Sequence, residues 1–339
     1  MPRLHFEDFA PGASAVHGPV TVTKDEMLAF AREFDPQPFH LDERAAKETF
    51  VGRLIGSGWQ SCALLMRLIA QGLLRDTTAM GAPGIEEARW LRPVLPGDSL
   101  RMRYTILEKR DSKSRPEIGF VRFRFELLNQ ADEKVLEQTN WIMFTRRGAS
   151  APRLTPHPPA PPAPAGMHVP EIDFAERPVA SPYLEDLVVG EEQELGSFTF
   201  SAEEIVRYAL TYDPQPFHLD AEAAKESLFG GLCASGWHTG AVWMKLMVAY
   251  RERLRAEALR RGERPAGLGP SPGFKNLKWL KPVYAGDTVT YRSTVTGTRT
   301  SATRPGWGLA FHHHKGFNQL GEEVFSYDGT VFWQRRPDA

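Results

Sequence analysis

A carboxylate, an imidazole and a glycine recur at one spacing in this 339-residue chain: Asp35, His40 and Gly58, then Asp213, His218 and Gly236. The segment Asp35-Pro36-Gln37-Pro38-Phe39-His40-Leu41-Asp42 returns letter for letter from Asp213 to Asp220. Each copy continues through Ala-Ala-Lys-Glu to Ser-Gly-Trp, at Ser57-Gly58-Trp59 and Ser235-Gly236-Trp237. A carboxylate beside an imidazole can grip a water molecule, take its proton and deliver a proton to carbon. A glycine amide that opens a buried helix can hold the charge developing on an acyl oxygen, aided by the helix dipole. What is duplicated is therefore a site as well as a scaffold.

The elements that must position these residues repeat too. Most positions from Asp35 to Trp59 match at a constant offset of 178. Arg89-Trp90-Leu91-Arg92-Pro93-Val94 with Gly97-Asp98 returns as Lys278-Trp279-Leu280-Lys281-Pro282-Val283 with Gly286-Asp287 at an offset of 189, so the second copy carries 11 extra residues between the motifs. The sequence thus divides into a first domain over 1–147, a linker over 148–182 and a second domain over 183–339. The linker is rich in proline and alanine and excludes a helix or central strand. Thr23 with Glu26, and Ser201 with Glu204, are capping-box patterns that open a short helix in each half. The paired prolines then forbid a helix at Asp-Pro-Gln-Pro-Phe-His, so the acid and imidazole converge through an irregular bend. Helices apolar nearly all round follow Ser57-Gly58 and Ser235-Gly236, and each marks the middle of its domain. Alternating runs at 100–107, 119–128 and 135–144, and at 288–296, 308–317 and 323–333, read as antiparallel strands with one covered face. The fold class is α+β, one long buried helix wrapped by a sheet in each half.

Forty-one basic residues against 42 acidic ones leave no overall field to draw nucleic acid or an anionic membrane, and neither partner is expected. No apolar run is long enough for a membrane span and the N-terminus lacks a signal-peptide core, so a cytoplasmic protein is the expectation. Cys62 and Cys233 hold non-equivalent repeat positions and read as buried filler. In His312-His313-His314 the first and third residues share one face of a strand and the second takes the other, which is not metal-ligand spacing; no metal is expected. Gly267 to Gly273 is a loop and no dinucleotide fingerprint.

These motifs resemble the MaoC-like dehydratases, the group of the (R)-specific, type-2 enoyl-CoA hydratases. Asp35, Pro38, His40, Asp42 and Gly58 match their signature, as do Asp213, Pro216, His218, Asp220 and Gly236, and both Pro-Val…Gly-Asp segments fit it. Gln37 and Gln215 stand where that family usually has Asn. The resemblance implies two hotdog domains in tandem that form a pseudo-dimer within the chain, with homodimerisation a further option. It also implies an acyl-CoA substrate, no cofactor, and reversible hydration of a 2-enoyl thioester to the (R)-3-hydroxyacyl thioester. In that reading Asp35, His40 and Gly58 are catalytic, as are Asp213, His218 and Gly236. Gln37, Ser57 and Trp59, with Gln215, Ser235 and Trp237, are expected to bind substrate. Fused eukaryotic relatives usually keep the acid and imidazole in one half; here both halves have them, so two competent sites are expected. Arg251, Arg253, Arg255, Lys275 and Lys278 either meet CoA phosphates or form a solvated face. His238, opposite Gln60 in the repeat, shapes the second pocket. Two other readings stand beside this: a Ser57-His40-Asp35 triad hydrolysing the thioester, and a non-catalytic acyl-binding module.

Overall fold

The structure, a computed structural model, describes residues 3–158, 163–175 and 179–337. Strand β1 (Ser14–Thr21) leads into helix α1 (Lys24–Phe34), which buries Met27, Phe30, Ala31 and Phe34 at helical spacing. Thr23 caps it by accepting the Glu26 amide at 3.1 Å. Single-turn helices α2 (Pro38–Leu41) and α3 (Glu43–Lys47) follow, then the central helix α4 (Gly58–Ile69) and strands β2 (Gly84–Trp90), β3 (Ser99–Asp111), β4 (Ile118–Leu128) and β5 (Lys134–Thr145). A short strand β6 (Gly166–His168) precedes the second copy of the plan. That copy comprises β7 (Glu192–Thr199), α5 (Ala202–Tyr212), α6 (Pro216–Leu219), α7 (Ala221–Lys225), α8 (Gly236–Arg260), β8 (Gly273–Trp279), β9 (Thr288–Thr300), β10 (Trp307–Phe317) and β11 (Glu323–Gln334).

The prolines do not keep the catalytic segment out of a helix: Pro38 and Pro216 each open a single turn that carries His40 or His218. A proline at the first helical position gives up an amide that would have no partner there, and its fixed φ already suits the helix. The bend lies just before it, where Asp35 and Asp213 adopt φ −147° with ψ 62° and 66°.

Among the described residues the eleven strands form one sheet in the order β1-β3-β4-β5-β2-β8-β11-β10-β9-β7-β6, and its strand pairs are antiparallel. The halves meet where β2 pairs with β8, Gly84 opposite Lys278 and Arg89 opposite Gly273. A Cβ on Gly84 would lie 2.0 Å from the Leu277 carbonyl oxygen and one on Gly273 2.2 Å from that of Ala88, so glycine is what lets the two backbones close up. Helices α4 and α8 pack on each other in the concavity, and one continuous apolar core runs from Leu64, Phe123 and Phe125 to Leu246, Tyr291 and Phe325. Trp59 stacks on Phe274 of the other half at 5.4 Å.

The extra residues of the second half lengthen its central helix to 25 residues, against 12 for α4, and continue into the loop before β8. The linker strand β6 pairs with β7 and, among the described residues, forms the sheet's edge. Before it, the linker lies across the second half: Arg153 pairs with Glu226, the Leu154 amide donates to the Leu228 carbonyl at 2.7 Å, and His157 meets Asp287 at 3.1 Å. Pro159, Pro161, Pro162 and Pro178 of the linker lie outside the described residues. Among the described residues no helix is long and apolar enough to cross a membrane.

Candidate active site

In each half the same three side chains close on one carboxylate. Asp35 Oδ1 accepts from Gln37 Nε2 at 2.8 Å, Oδ2 accepts from Ser57 Oγ at 2.6 Å, and His40 Nε2 lies 3.2 Å from Oδ2. The second copy reproduces this with Gln215 at 2.9 Å, Ser235 at 2.6 Å and His218 at 3.5 Å from Asp213. All four acid and imidazole side chains are buried.

The imidazole is oriented from behind. His40 Nδ1 is 2.8 Å from the Ile55 carbonyl oxygen and His218 Nδ1 is 2.7 Å from that of Cys233. A carbonyl only accepts, so Nδ1 carries a hydrogen and Nε2 is left to face the carboxylate and the cavity. Burial pushes the Asp35 carboxyl up, but the His40 charge and the hydrogen bonds from His40, Ser57 and Gln37 outweigh it and hold the group below the ordinary carboxylate range. Burial holds the His218 imidazole below its ordinary value against the pull of Asp213 and the Cys233 carbonyl. The neutral form therefore prevails at pH 7.

Ser57 joins this carboxylate to the helix. Its Oγ donates to Asp35 and accepts the Trp59 amide at 3.2 Å as the cap of α4; Ser235 does the same for Asp213 and α8. The first amides of a helix have no intrahelical acceptor, and those of Gly58 and Gly236 stand at the positive end of the buried helix beside the acid and imidazole. Glycine is fixed there by a neighbour that the sequence reading passed over. Trp90 Nε1 donates to the Gly58 carbonyl at 2.9 Å and its ring would lie 2.6 Å from an added Cβ; Trp279 donates to Gly236 at 2.9 Å and would lie 2.2 Å away. Both tryptophans sit in the repeated Trp-Leu-Arg/Lys-Pro-Val segment, and that repetition was the available signal.

The two sites open into different spaces. Asp35, His40 and Gly58 line a cavity of about 780 Å³ whose far wall belongs to the second half, from Met244, Met247 and Arg251 on α8 to the loop 266–273 and the inner face of β10 and β11. Asp213, His218 and Gly236 line one of about 250 Å³, walled by Met66 and Ile69 of α4, by Gln138 and Asn140 of β5, and by Leu154 of the linker. The difference has two sources. The 11 extra residues lengthen the wall of the first cavity, whereas Phe229, where the first copy has Val51, packs 4.9 Å from Phe217 and narrows the second.

Trp59 and Trp237 each border a cavity and also pack across the seam, 6.4 Å apart. Ser57 forms no relay to His40, because its hydroxyl is spent on Asp35; a serine-nucleophile triad is not assembled. Arg251 and Arg255 border the first cavity, whereas Lys275 pairs with Glu87 at 3.1 Å and Arg253 donates to the Pro170 carbonyl. His238 borders neither cavity; it stacks on Tyr208 at 4.5 Å within the seam. His312 and His314 face inward and His313 faces out to Asp328 at 2.6 Å.

Comparison with known families matches the MaoC like domain to residues 8–120 and again to residues 186–306. A mesaconyl-CoA hydratase of Cereibacter sphaeroides is 40% identical over 73 residues, which is 22% of this chain and only 21% of that protein. A solved MaoC domain protein dehydratase from Chloroflexus aurantiacus, 21% identical, superposes with a TM-score of 0.76 over 99% of both chains. A Mycobacterium tuberculosis protein described as having a double hotdog fold, 17% identical, gives 0.68 over 98% of both. The architecture of this chain is thus a tandem hotdog.

Proposed function

The chain belongs to the MaoC-like domain family, and from that premise we propose that each half hydrates a 2-enoyl-CoA reversibly to the (R)-3-hydroxyacyl-CoA. The observation that carries the proposal is the duplicated constellation: a carboxylate held by Gln and Ser, an imidazole fixed by a backbone carbonyl, and a helix-opening amide, all on one cavity. Asp35 and His40 hold the water between Oδ2 and Nε2. Its oxygen bonds to C3, its proton passes to the pair, and a proton from the pair goes to C2, so one molecule of water adds across the double bond. The negative charge that gathers on the thioester oxygen during attack is met by the Gly58 amide; one such donor commonly carries about 10²–10³ in rate. Dehydration runs the same steps backwards. Asp213, His218 and Gly236 play these parts in the second half. Water supplies the oxygen and both hydrogens that are added, the acid–imidazole pair relays the proton, and the helix amide supplies the dipole, with the CoA thioester as substrate.

The test is the loss of enoyl absorbance with short and medium trans-2-enoyl-CoA esters, with chiral analysis of the product and His40→Ala/His218→Ala as the blank. Formation of the (R)-3-hydroxyacyl ester by the unaltered protein alone is expected. Release of free CoA without hydration, or equal rates in the blank, would overturn the proposal.

A further inference from the structure

The loops that precede the two central helices are copies with different neighbours. Residues 49–54 align with residues 227–232, and Gly52 and Gly230 are both in the left-handed region, at φ 74° and 69°. A Cβ added to Gly52 would meet nothing within 4 Å, whereas one on Gly230 would lie 2.4 Å from the Leu154 carbonyl oxygen of the linker. Exposed Arg53 gives way to Gly231, where an added Cβ would come 3.3 Å from Pro156 Cγ. Leu95 gives way to Tyr284, whose hydroxyl donates to the Phe229 carbonyl at 2.8 Å. The second loop is thus shaped to receive residues 153–158 of the linker.

The covered loop is also a wall of the second site. Leu154, Leu228 and Phe229 border the cavity that holds Asp213 and His218, and they pack with Met80, Ile118 and Met143 of the first half. The linker segment is pinned near both ends. The Leu154 amide donates to the Leu228 carbonyl at 2.7 Å. His157 lies edge-on to Tyr284 at 5.3 Å, with Nε2 3.1 Å from Asp287 Oδ2 and Nδ1 2.8 Å from the Pro158 carbonyl oxygen. Asp287 is buried and already accepts from the Tyr284 amide and from Gln319 Nε2 at 2.7 and 2.8 Å. A carboxylate and a carbonyl only accept, so both ring nitrogens of His157 donate and the imidazole is the cation. Burial works against this charge, but the Pro158 carbonyl, Asp287 and Glu322 outweigh it and hold the group above its ordinary 6.5; Glu322 is itself paired with Lys281. The pair is therefore intact at low pH and weakens as the pH rises through that raised value.

We propose that residues 153–158 form a strap that sets the acyl length accepted by the second site, held against its cavity by the His157–Asp287 pair, and that opening this pair admits longer acyl groups. Leu154 is the specificity-determining residue and His157 positions it. This rests on reading the cavity as an acyl-thioester site.

The test uses the full chain with the first site silenced by Asp35→Asn. The ratio of kcat/KM for trans-2-octenoyl-CoA to that for trans-2-butenoyl-CoA is measured in this parent and with His157→Ala or Leu154→Ala added. At about pH 6 each substitution is expected to raise the ratio at least about tenfold. Between about pH 6 and about pH 9 the ratio should climb in the parent and stay flat in His157→Ala, since the titration of His218 is common to both esters and cancels. A second readout needs no turnover. Cys233 borders the second cavity and Cys62 borders neither, so alkylation of Cys233 by iodoacetamide in a Cys62→Ala chain should run severalfold faster, at fixed pH, once His157→Ala is added. A ratio unchanged by both His157→Ala and Leu154→Ala overturns the inference and leaves the hydratase reading standing. Faster alkylation without hydration of either ester supports the strap and overturns the hydratase reading, and unchanged alkylation without hydration overturns both.

Discussion

In the proposed reaction Asp35 needs both of its neutral anchors, because a buried carboxylate held in one orientation presents Oδ2 to water at a fixed place. Removing the Ser57 donor by Ser57→Ala takes away one charge-assisted hydrogen bond and the helix cap together. A loss of about 1.5–3 kcal/mol at the carboxylate corresponds to roughly ten- to hundredfold in kcat. That is the expected result for the first site assayed in an Asp213→Asn background, and an unchanged kcat would refute the anchoring role. The pH dependence has a defined sign at the second site. In the proposed reaction His218 must be neutral to take a proton, and its folded value lies below the ordinary imidazole value of 6.5. The acid limb of kcat/KM for the Asp35→Asn protein should therefore fall below pH 6.5. A limb above it would mean that burial does not govern this imidazole. The acid, the imidazole and the glycine were legible in the sequence through exact repetition. The Ile55 and Cys233 carbonyls that orient the imidazoles were not, since a backbone acceptor leaves no trace in residue type.

Two aspartates of the repeated motif turn out to serve the elements around the site. Asp42 Oδ1 accepts the Ala45 amide at 2.7 Å as the cap of α3, and Asp220 does so for Ala223 at 2.7 Å in α7. Asp98 and Asp287 brace the turn before the long strands, accepting the Leu95 and Tyr284 amides at 2.8 and 2.7 Å beside Gly97 and Gly286 in the left-handed region. Asp42→Ala should thus cost about 1 kcal/mol of stability, measurable by denaturant titration, with kcat/KM little altered. Large loss of activity in a stably folded variant would instead place Asp42 in the chemistry. The strands and central helices could be read from alternation and from the all-round apolar runs. The helical turn at Pro38 could not, because proline at a first helical position looks the same in sequence as proline that breaks a helix. The union of the halves into a single sheet was also hidden. It depends on β2 meeting β8, and strand pairing across 190 residues has no local signature.

At the scale of the molecule, the two sites share walls, so neither is complete within its own half. The first cavity, about 780 Å³, should admit longer acyl groups than the second, about 250 Å³. Profiles of kcat/KM against chain length for Asp35→Asn and Asp213→Asn should separate accordingly, and coincident profiles would contradict the role given to Phe229 and the 11 extra residues. Stability should also depend on acid. His238 and His312 are held at about 3, and His314 well below its ordinary value, mainly by burial. The unfolded chain binds protons at these groups below about pH 6.5 and the folded chain does not, so stability is full above that pH and is lost as the pH falls towards about 3. Each such group contributes a slope of about 1.4 kcal/mol per pH unit within that window. Melting temperatures that stay flat from pH 6.5 to 4 would show that these imidazoles are not kept neutral.

The central claim, that one chain carries two working copies of a single hydration site, is tested most directly by enoyl-CoA hydration in Asp35→Asn, Asp213→Asn and the double variant. Measurable activity in each single variant, and its loss in a double variant that still folds, is the expected pattern. Full activity in the double variant would contradict the claim for both halves, and complete loss in one single variant would contradict it for the other half's site.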